Sequence, residues 1–241
     1  VVGGERFGRY SFIGLPARTL LRASGFGEAA KTEVVTDGLV VETHAGNPLD
    51  FVAAYQKRFK VALRQGLPRF CGGLAGYFGY DTVRHIEKKL VNSCPPDDLG
   101  MPDILLLQTE ELAVIDNLSG KLSLIVYADP AQPDAYAKAH ARLAELKLRL
   151  KAPAQAPSIA PCVSHPAERS FAKDDYLAAV LRAKDLIAAG DFMQVQVGQR
   201  IHKKFTASPL SLYRALRSLN PSPYMYYYNL GDAYVVDRKS T

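Results

Sequence analysis

Ile104-Leu105-Leu106-Leu107-Gln108-Thr109-Glu110-Glu111-Leu112-Ala113-Val114-Ile115 leads into Asp116-Asn117-Leu118-Ser119-Gly120, and the chain continues through Leu122-Ser123-Leu124-Ile125-Val126-Tyr127. Two apolar runs flank a loop with turn-forming residues at both ends, so the stretch predicts strands over 104–115 and 122–127. The uninterrupted aliphatic run 104–107 is only four residues long. A membrane helix needs about 20 apolar residues, so no span is predicted. Glu110 and Glu111 are adjacent in a strand pattern and therefore point to opposite faces, which argues against a convergent carboxylate pair.

Working outward, the residues on either side predict both helices and strands. Strands are expected at 10–13 and 20–23. Val34-Val35 and residues 39–43 flank Thr36-Asp37-Gly38, a hairpin signal. Asn47-Pro48 starts a predicted helix that runs to Leu63, with Gly66 closing it. A second helix is expected over 134–150, with Tyr136, His140, Leu143 and Leu146 at helical spacing.

Residues 151–170 contain four prolines and five alanines. Proline removes a backbone donor and restricts the residue before it, so this segment is read as a linker with no regular element. It separates a first domain, 1–150, from residues 171–241, which open a second. There, Asp174-Asp175 cap a helix that Gly190 ends; 192–197 reads as a strand; and Ser208-Pro209 start a helix through Leu219. Strands at 224–228 and 233–236 follow. The fold class is α+β, with mixed helices and largely antiparallel sheets, and it reads as incomplete at the C-terminus. The chain opens Val1-Val2-Gly3-Gly4 without methionine, which is expected for a processed product or a fragment.

The 241 residues suffice for one large or two small domains with a real core. The net charge of +6 lies mostly in residues 171–241, where ten basic residues face six acidic ones. That excess is scattered, and Lys88-Lys89 and His202-Lys203-Lys204 are too short for a nucleic-acid footprint. Cys71, Cys94 and Cys162 are odd in number and far apart. They predict neither a disulfide framework nor a structural zinc site, and a reducing cytoplasm is the simplest compartment. The five histidines show no metal-ligand spacing. In the run 72–81, glycines alternate with aromatics rather than opening a helix after a strand. It is read as a strand with close backbone approach, not as a phosphate cradle.

Five segments occur in a telling order: Gly8-Arg9-Tyr10-Ser11-Phe12-Ile13-Gly14; residues 72–83 with Arg84 and Glu87; Asp116-Asn117; Gly190-Asp191-Phe192-Met193-Gln194-Val195 with Gln199-Arg200; and Asn220-Pro221-Ser222-Pro223-Tyr224-Met225. Together they resemble the anthranilate synthase large subunits (component I) of the chorismate-utilising enzymes. The related aminodeoxychorismate synthases share the motifs after the linker. The resemblance implies an anthranilate-synthase-like fold whose first domain is 1–150 and whose chorismate-binding catalytic domain begins at 171. It implies a cytoplasmic carbon–oxygen lyase that converts chorismate and ammonia to anthranilate and pyruvate in tryptophan biosynthesis, with Mg2+ as cofactor. Ammonia would come from a glutamine amidotransferase subunit in a hetero-oligomer, and L-tryptophan would inhibit. Family members are roughly twice this length, so the catalytic residues and magnesium ligands are expected outside this sequence and the chain alone is expected to be inactive. A tryptophan-binding regulatory piece is the alternative. The resemblance places the tryptophan site on Pro223, Tyr224 and Met225, with Arg9, Tyr10 and Ser11 as weaker members.

Overall fold

A computed structural model describes residues 8–154 and 163–239. The chain divides into two compact units. Among the described residues, the first holds 8–154 together with 222–224 and 239, and the second holds 163–221 and 225–238.

The first unit is built on strands β1 (Tyr10–Gly14), β2 (Thr19–Ser24), β3 (Lys31–Thr36), β4 (Leu39–Ala45), β5 (Gly73–Phe78), β6 (Ile104–Thr109), β7 (Glu111–Asp116) and β8 (Lys121–Val126). They form a five-stranded sheet in the order β4-β3-β2-β6-β5 and a three-stranded sheet in the order β1-β7-β8. Every pairing is antiparallel.

The stretch read as one strand over 104–115 is two strands in two sheets, and Glu110 is the corner. On one side of it Thr109 pairs with Gly73; on the other Glu111 pairs with Val126. The Glu110 carbonyl accepts from the Tyr127 N–H at 3.0 Å. Ile104, Leu105 and Leu106 are all buried in the larger sheet, and Leu112 and Val114 in the smaller one. A strand covered on both faces reads as an unbroken apolar run, which is why the sequence shows no break.

The core of the larger sheet follows from strand alternation. Leu21, Ala23, Val34, Ile104 and Leu106 share one face, because Leu21 is the register partner of both Val34 and Leu106, and Ala23 that of Ile104. Helix α1 (Pro48–Gln56) lays Phe51, Val52 and Tyr55 on that face. The Asn47 side chain accepts from the Leu49 N–H at 3.0 Å, and Pro48 occupies the first turn, the N-terminal chemistry read from sequence. The turn between β3 and β4 has positive φ at both Asp37 (50°) and Gly38 (83°), as a tight hairpin requires.

Helix α1 stops at Gln56 rather than Leu63. The Arg58 guanidinium reaches back to both oxygens of Glu42, at 2.6 and 2.7 Å, and lies over the Phe51 and Tyr55 rings. Phe59, Val61 and Leu63 are about half exposed or more, so further helical turns would bury little. Helix α2 (Ala135–Arg149) forms where expected, but its inward stripe is Ala135, Ala139, Leu143 and Leu146. Tyr136 and His140 instead stack on each other at the surface.

The glycine run at 72–79 is strand β5 held against a neighbouring backbone. A Cβ on Gly76 would sit 2.0 Å from the Leu105 carbonyl oxygen, and one on Gly79 2.9 Å from that of Asp103. At Gly72, φ is +141° and a Cβ would strike the Tyr127 ring. Cys71 and Cys94 are free thiols; Cys162 lies outside the described residues.

The second unit contains β9 (Ala167–Arg169), α3 (Lys173–Ala189), β10 (Ile201–Lys203), α4 (Pro209–Leu219), β11 (Met225–Asn229) and β12 (Tyr234–Arg238). β9 pairs with β10 and β11 with β12. Gly190, with φ of 87°, ends α3 as predicted. Three expectations fail. Helix α3 starts at Lys173 after Ala172, with no side-chain cap, so Asp174 and Asp175 lie inside its first turn, where their charge favours the helix N-terminus, rather than capping it. Residues 167–169 of the segment read as linker form β9, because β10 offers a partner. Residues 192–197 form no strand: no described strand pairs with them, Met193 is 97% exposed, and Tyr176 Oη donates to the Val197 carbonyl. None of the described apolar side chains of this unit is buried. No described helix is long and apolar enough to cross a membrane.

Gly76→Ala is expected to destabilise the first unit by on the order of 3 kcal/mol, since the added methyl meets backbone that no rotamer change can move. Denaturant unfolding followed at the tyrosines measures it; an unchanged midpoint would contradict the close approach of β5 to β6.

Candidate functional site

Strand register brings two of the sequence motifs together. Tyr10 on β1 faces Asp116 on β7, which in turn faces Lys121 on β8. Two residues along, Phe12, Val114 and Ser123 line up in the same way. Cross-strand partners and residues two apart share a face, so these six make one side of the three-stranded sheet. Over the end with Tyr10 lies a cleft of about 280 Å³ lined by Arg9, Tyr10, Gly66, Pro68, Val114, Asp116, Ser119, Lys121 and Ser123.

The floor is fixed by an ion pair between residues 107 positions apart. Arg9 Nε and Nη2 donate to the two Asp116 carboxylate oxygens at 3.2 and 3.0 Å. The same guanidinium sits 5.0 Å from the Tyr10 ring centroid. Asp116 Oδ1 also accepts from the backbone N–H of Leu118 at 3.1 Å and of Ser119 at 3.4 Å. Arg9 first, then the Ser119 hydroxyl and these amides, hold the Asp116 carboxyl well below the usual carboxylate range. Asn117 Nδ2 donates to the Gly8 carbonyl at 3.0 Å and to Ser11 Oγ at 3.1 Å.

The six residues assigned to tryptophan from sequence are thus distributed. Arg9 and Tyr10 line the cleft, whereas Ser11 points to the other face of β1 and is engaged by Asn117. Pro223 and Tyr224 group with the first unit, and Met225 opens β11 in the second. Their segment is pinned: Ser222 is buried and its Oγ donates to the Lys239 carbonyl at 2.7 Å, while the Lys239 N–H donates to the Tyr224 carbonyl at 3.0 Å. Tyr224 remains 44% exposed, with the Lys239 ammonium over its ring. Asp116 was legible only as part of a motif. Lys121, Ser123 and Pro68 carry no sequence signal of their own, and Gly66 carried one only as a helix stop; strand register and loop path bring them to the cleft.

The glycine motif continues into a second polar cluster. Arg84 donates to Asp81 at 2.7 Å, to Ser93 Oγ at 3.0 Å and to the Leu90 carbonyl, and its guanidinium lies over the Phe26 ring. His85 packs on Phe26 with its Nε2 buried and unpartnered. Burial holds the His85 imidazole below its ordinary value, opposed by the Asp103 charge. Burial likewise pushes Asp103 up, although Gly25 donates to it. Glu110 and Glu111 diverge, to Gln108 and Arg142 respectively. Among the described residues no group of three or more His, Cys, Asp or Glu side chains could hold a metal ion. The described residues therefore do not fit the magnesium that the resemblance implies.

Asp116→Asn is expected to lower stability at neutral pH and to flatten the acid limb. A depressed carboxylate contributes stability that is present above its unfolded value of about 4 and lost as pH falls through the folded value. Melting temperature against pH below about 5 measures this; an unaltered acid limb would show that the Arg9 pair contributes nothing.

Comparison with known proteins places this geometry in a family. The profile of the chorismate binding enzymes matches residues 16–236. The anthranilate synthase component 1 of Neisseria meningitidis serogroup B is 51% identical over 239 residues, covering 98% of this chain and 48% of the relative. That of Pseudomonas aeruginosa is 48% identical over 247 residues, again covering 98% and 48%. The crystal structure of anthranilate synthase component I from Streptococcus pneumoniae superposes with a TM-score of 0.74 at 26% identity, covering 98% of this chain and 51% of that one. The mixed helix and antiparallel-sheet fold agrees with that neighbour, and the chain spans about half the length of the curated relatives it matches. With the profile covering nearly the whole chain, this protein belongs to the chorismate-binding enzyme family.

Proposed function

We propose that the chain serves the conversion of chorismate and ammonia to anthranilate and pyruvate, as the part that corresponds to about half of an anthranilate synthase component 1. The observation that carries this reading is the identity of about half, sustained along 98% of the chain, to relatives of that name. Those relatives favour it over an aminodeoxychorismate synthase. In this reading the chain works in the cytoplasm in a hetero-oligomer, with a glutamine amidotransferase subunit supplying ammonia. It is a carbon–oxygen lyase only as part of the longer enzyme, so the chain by itself turns over no chorismate. The magnesium expected for the reaction has no proposed ligand among the described residues.

The second part of the proposal is that Pro223, Tyr224 and Met225 bind L-tryptophan as a feedback inhibitor, with Arg9 and Tyr10 as further members and Ser11 the least suited. Pro221 and Pro223 each fix φ near −65° and lack an N–H, which stiffens the segment. The Ser222 hydroxyl and the Lys239 backbone tie it down further. The Met225 thioether suits an indole ring, a contact worth about 0.3–1.5 kcal/mol.

Calorimetry on the purified chain is expected to show binding of L- but not D-tryptophan, weakened up to roughly tenfold by Met225→Thr. The same chain, given chorismate, ammonia and magnesium, is expected to produce no anthranilate fluorescence. Identical responses to the two enantiomers would remove the tryptophan assignment, and fluorescence from the chain alone would contradict the division of labour.

A further inference from the structure

We infer that His85 is an acid-sensitive latch: as a neutral ring it holds the excursion between β5 and β6, residues 79–103, against α1 and the loop after β2, and on taking up a proton it lets that excursion open. The inference goes beyond the proposed function and stands on the geometry of the first unit alone.

The base of the excursion is fixed by backbone. The Gly79 N–H donates to the Asp103 carbonyl at 2.7 Å, the Asp103 N–H donates to the Ala23 carbonyl at 2.8 Å, and the Asp103 carboxylate accepts from the Gly25 N–H at 3.0 Å. The body is two short turns of 3-10 helix, Tyr80–His85 and Lys88–Ser93. Arg84 closes these turns on each other through Asp81, Ser93 and the Leu90 carbonyl. Among the described residues, one hydrogen bond ties them to another element, from Asn47 Nδ2 to the His85 carbonyl at 3.3 Å. Asn47 is the residue whose Oδ1 caps α1. Packing adds the loop after β2: the His85 ring lies 5.0 Å from that of Phe26, and Val91 sits 3.1 Å from where a side chain on Gly27 would begin. His85 is therefore the joint, with its carbonyl on the α1 cap and its ring on Phe26.

The setting suits the neutral ring. Nε2 is buried and has no hydrogen-bond partner among the described residues. A neutral imidazole can leave one nitrogen as an unpaired acceptor, whereas the cation carries an N–H on both and needs an acceptor for each. Burying that charge without one is costly. Of the charged groups on the elements packed against the ring, Asp103 is the one whose field favours the cation, and burial outweighs it. Arg84, on the same turn, is paired with Asp81 and already lies over the Phe26 ring, so a charged His85 would bring a second cation to it. From α1 comes the neutral Asn47 amide; Asp50, Glu28, Glu87, Lys88 and Lys89 are exposed and screened by solvent. Proton uptake therefore favours an open excursion in which the ring meets water. Closure is complete above the free imidazole value of about 6.5 and weakens as pH falls through it. On further acidification Asp103, pushed up by burial, loses the one charge that compensates the imidazolium.

Magnetic resonance of the full chain against pH, reading histidine ring protons and amide exchange, tests the latch. The His85 ring is expected to titrate below the ordinary value of about 6.5. The Ile86, Glu87 and Leu90 amides, each hydrogen-bonded within the excursion, report its opening. Their protection factors are expected to fall up to roughly tenfold between about pH 7.5 and about pH 5.5, the limit for one linked proton over the unit below 6.5. The Leu21 and Leu106 amides of the larger sheet should keep theirs. His85→Phe retains a ring on Phe26 and cannot titrate, so it should flatten the profile; if that variant does not fold, the parent's two profiles decide. A His85 ring that titrates at or above about 6.5, protection in the parent that ignores pH, or a folded His85→Phe chain that loses protection on acidification as the parent does would each overturn the inference.

Discussion

The first unit depends on one run of chain that belongs to two sheets. Between Ile104 and Asp116 the backbone gives β6 to the larger sheet, turns at Glu110, and gives β7 to the smaller one. β6 is flanked by β2 and β5, and β7 by β1 and β8, so both strands are interior and neither presents an open edge. The burial of Ile104, Leu106, Leu112 and Val114 therefore stabilises both sheets through a single covalent segment. That arrangement also explains the glycines of β5, since the strand beside β6 must approach the Leu105 carbonyl too closely for a side chain at Gly76.

The same run positions the chemistry. Because β7 pairs with β1 in one fixed register, Arg9 meets Asp116 and Asn117 meets Gly8 and Ser11 across a long stretch of sequence. The family motifs at either end of the first unit are thus two halves of one structural feature. With Asp116 satisfied by Arg9, Lys121 has no ion-pair partner among the described residues, which leaves a locally cationic surface beside the cleft. The second unit has a different character. Gly190 ends α3 and its strands are paired, but no described apolar side chain there is buried. That is the condition of elements that need further cover before their apolar faces stabilise anything.

What was legible in the sequence was local. Asp37-Gly38 specified a hairpin through its positive φ values, Asn47-Pro48 a helix start, and Gly190 a helix end, because each acts within a few residues. What was not legible depended on distant partners. Helix α1 stops short because Arg58 turns back to Glu42 on another element. Residues 192–197 alternate like a strand but pair with no described strand, while 167–169, in a proline-rich context, pair with β10. The switch at Glu110 left no mark because both strands are buried and apolar. In the candidate sites, motif order pointed to Arg9, Tyr10 and the 220–225 segment, whereas Lys121 and Ser123 emerged only once register was known.

A domain exchange tests most directly the proposal that this chain serves anthranilate formation. The 239 residues of the Neisseria meningitidis relative that align with this chain are replaced by the chain itself. The purified chimera is then assayed by anthranilate fluorescence with chorismate, ammonia and magnesium. The account predicts a folded protein that forms anthranilate at a rate within about an order of magnitude of the parent relative, a difference of about 1.4 kcal/mol in the barrier. A chimera that folds cooperatively, with the parent's circular dichroism, but makes no anthranilate would contradict it.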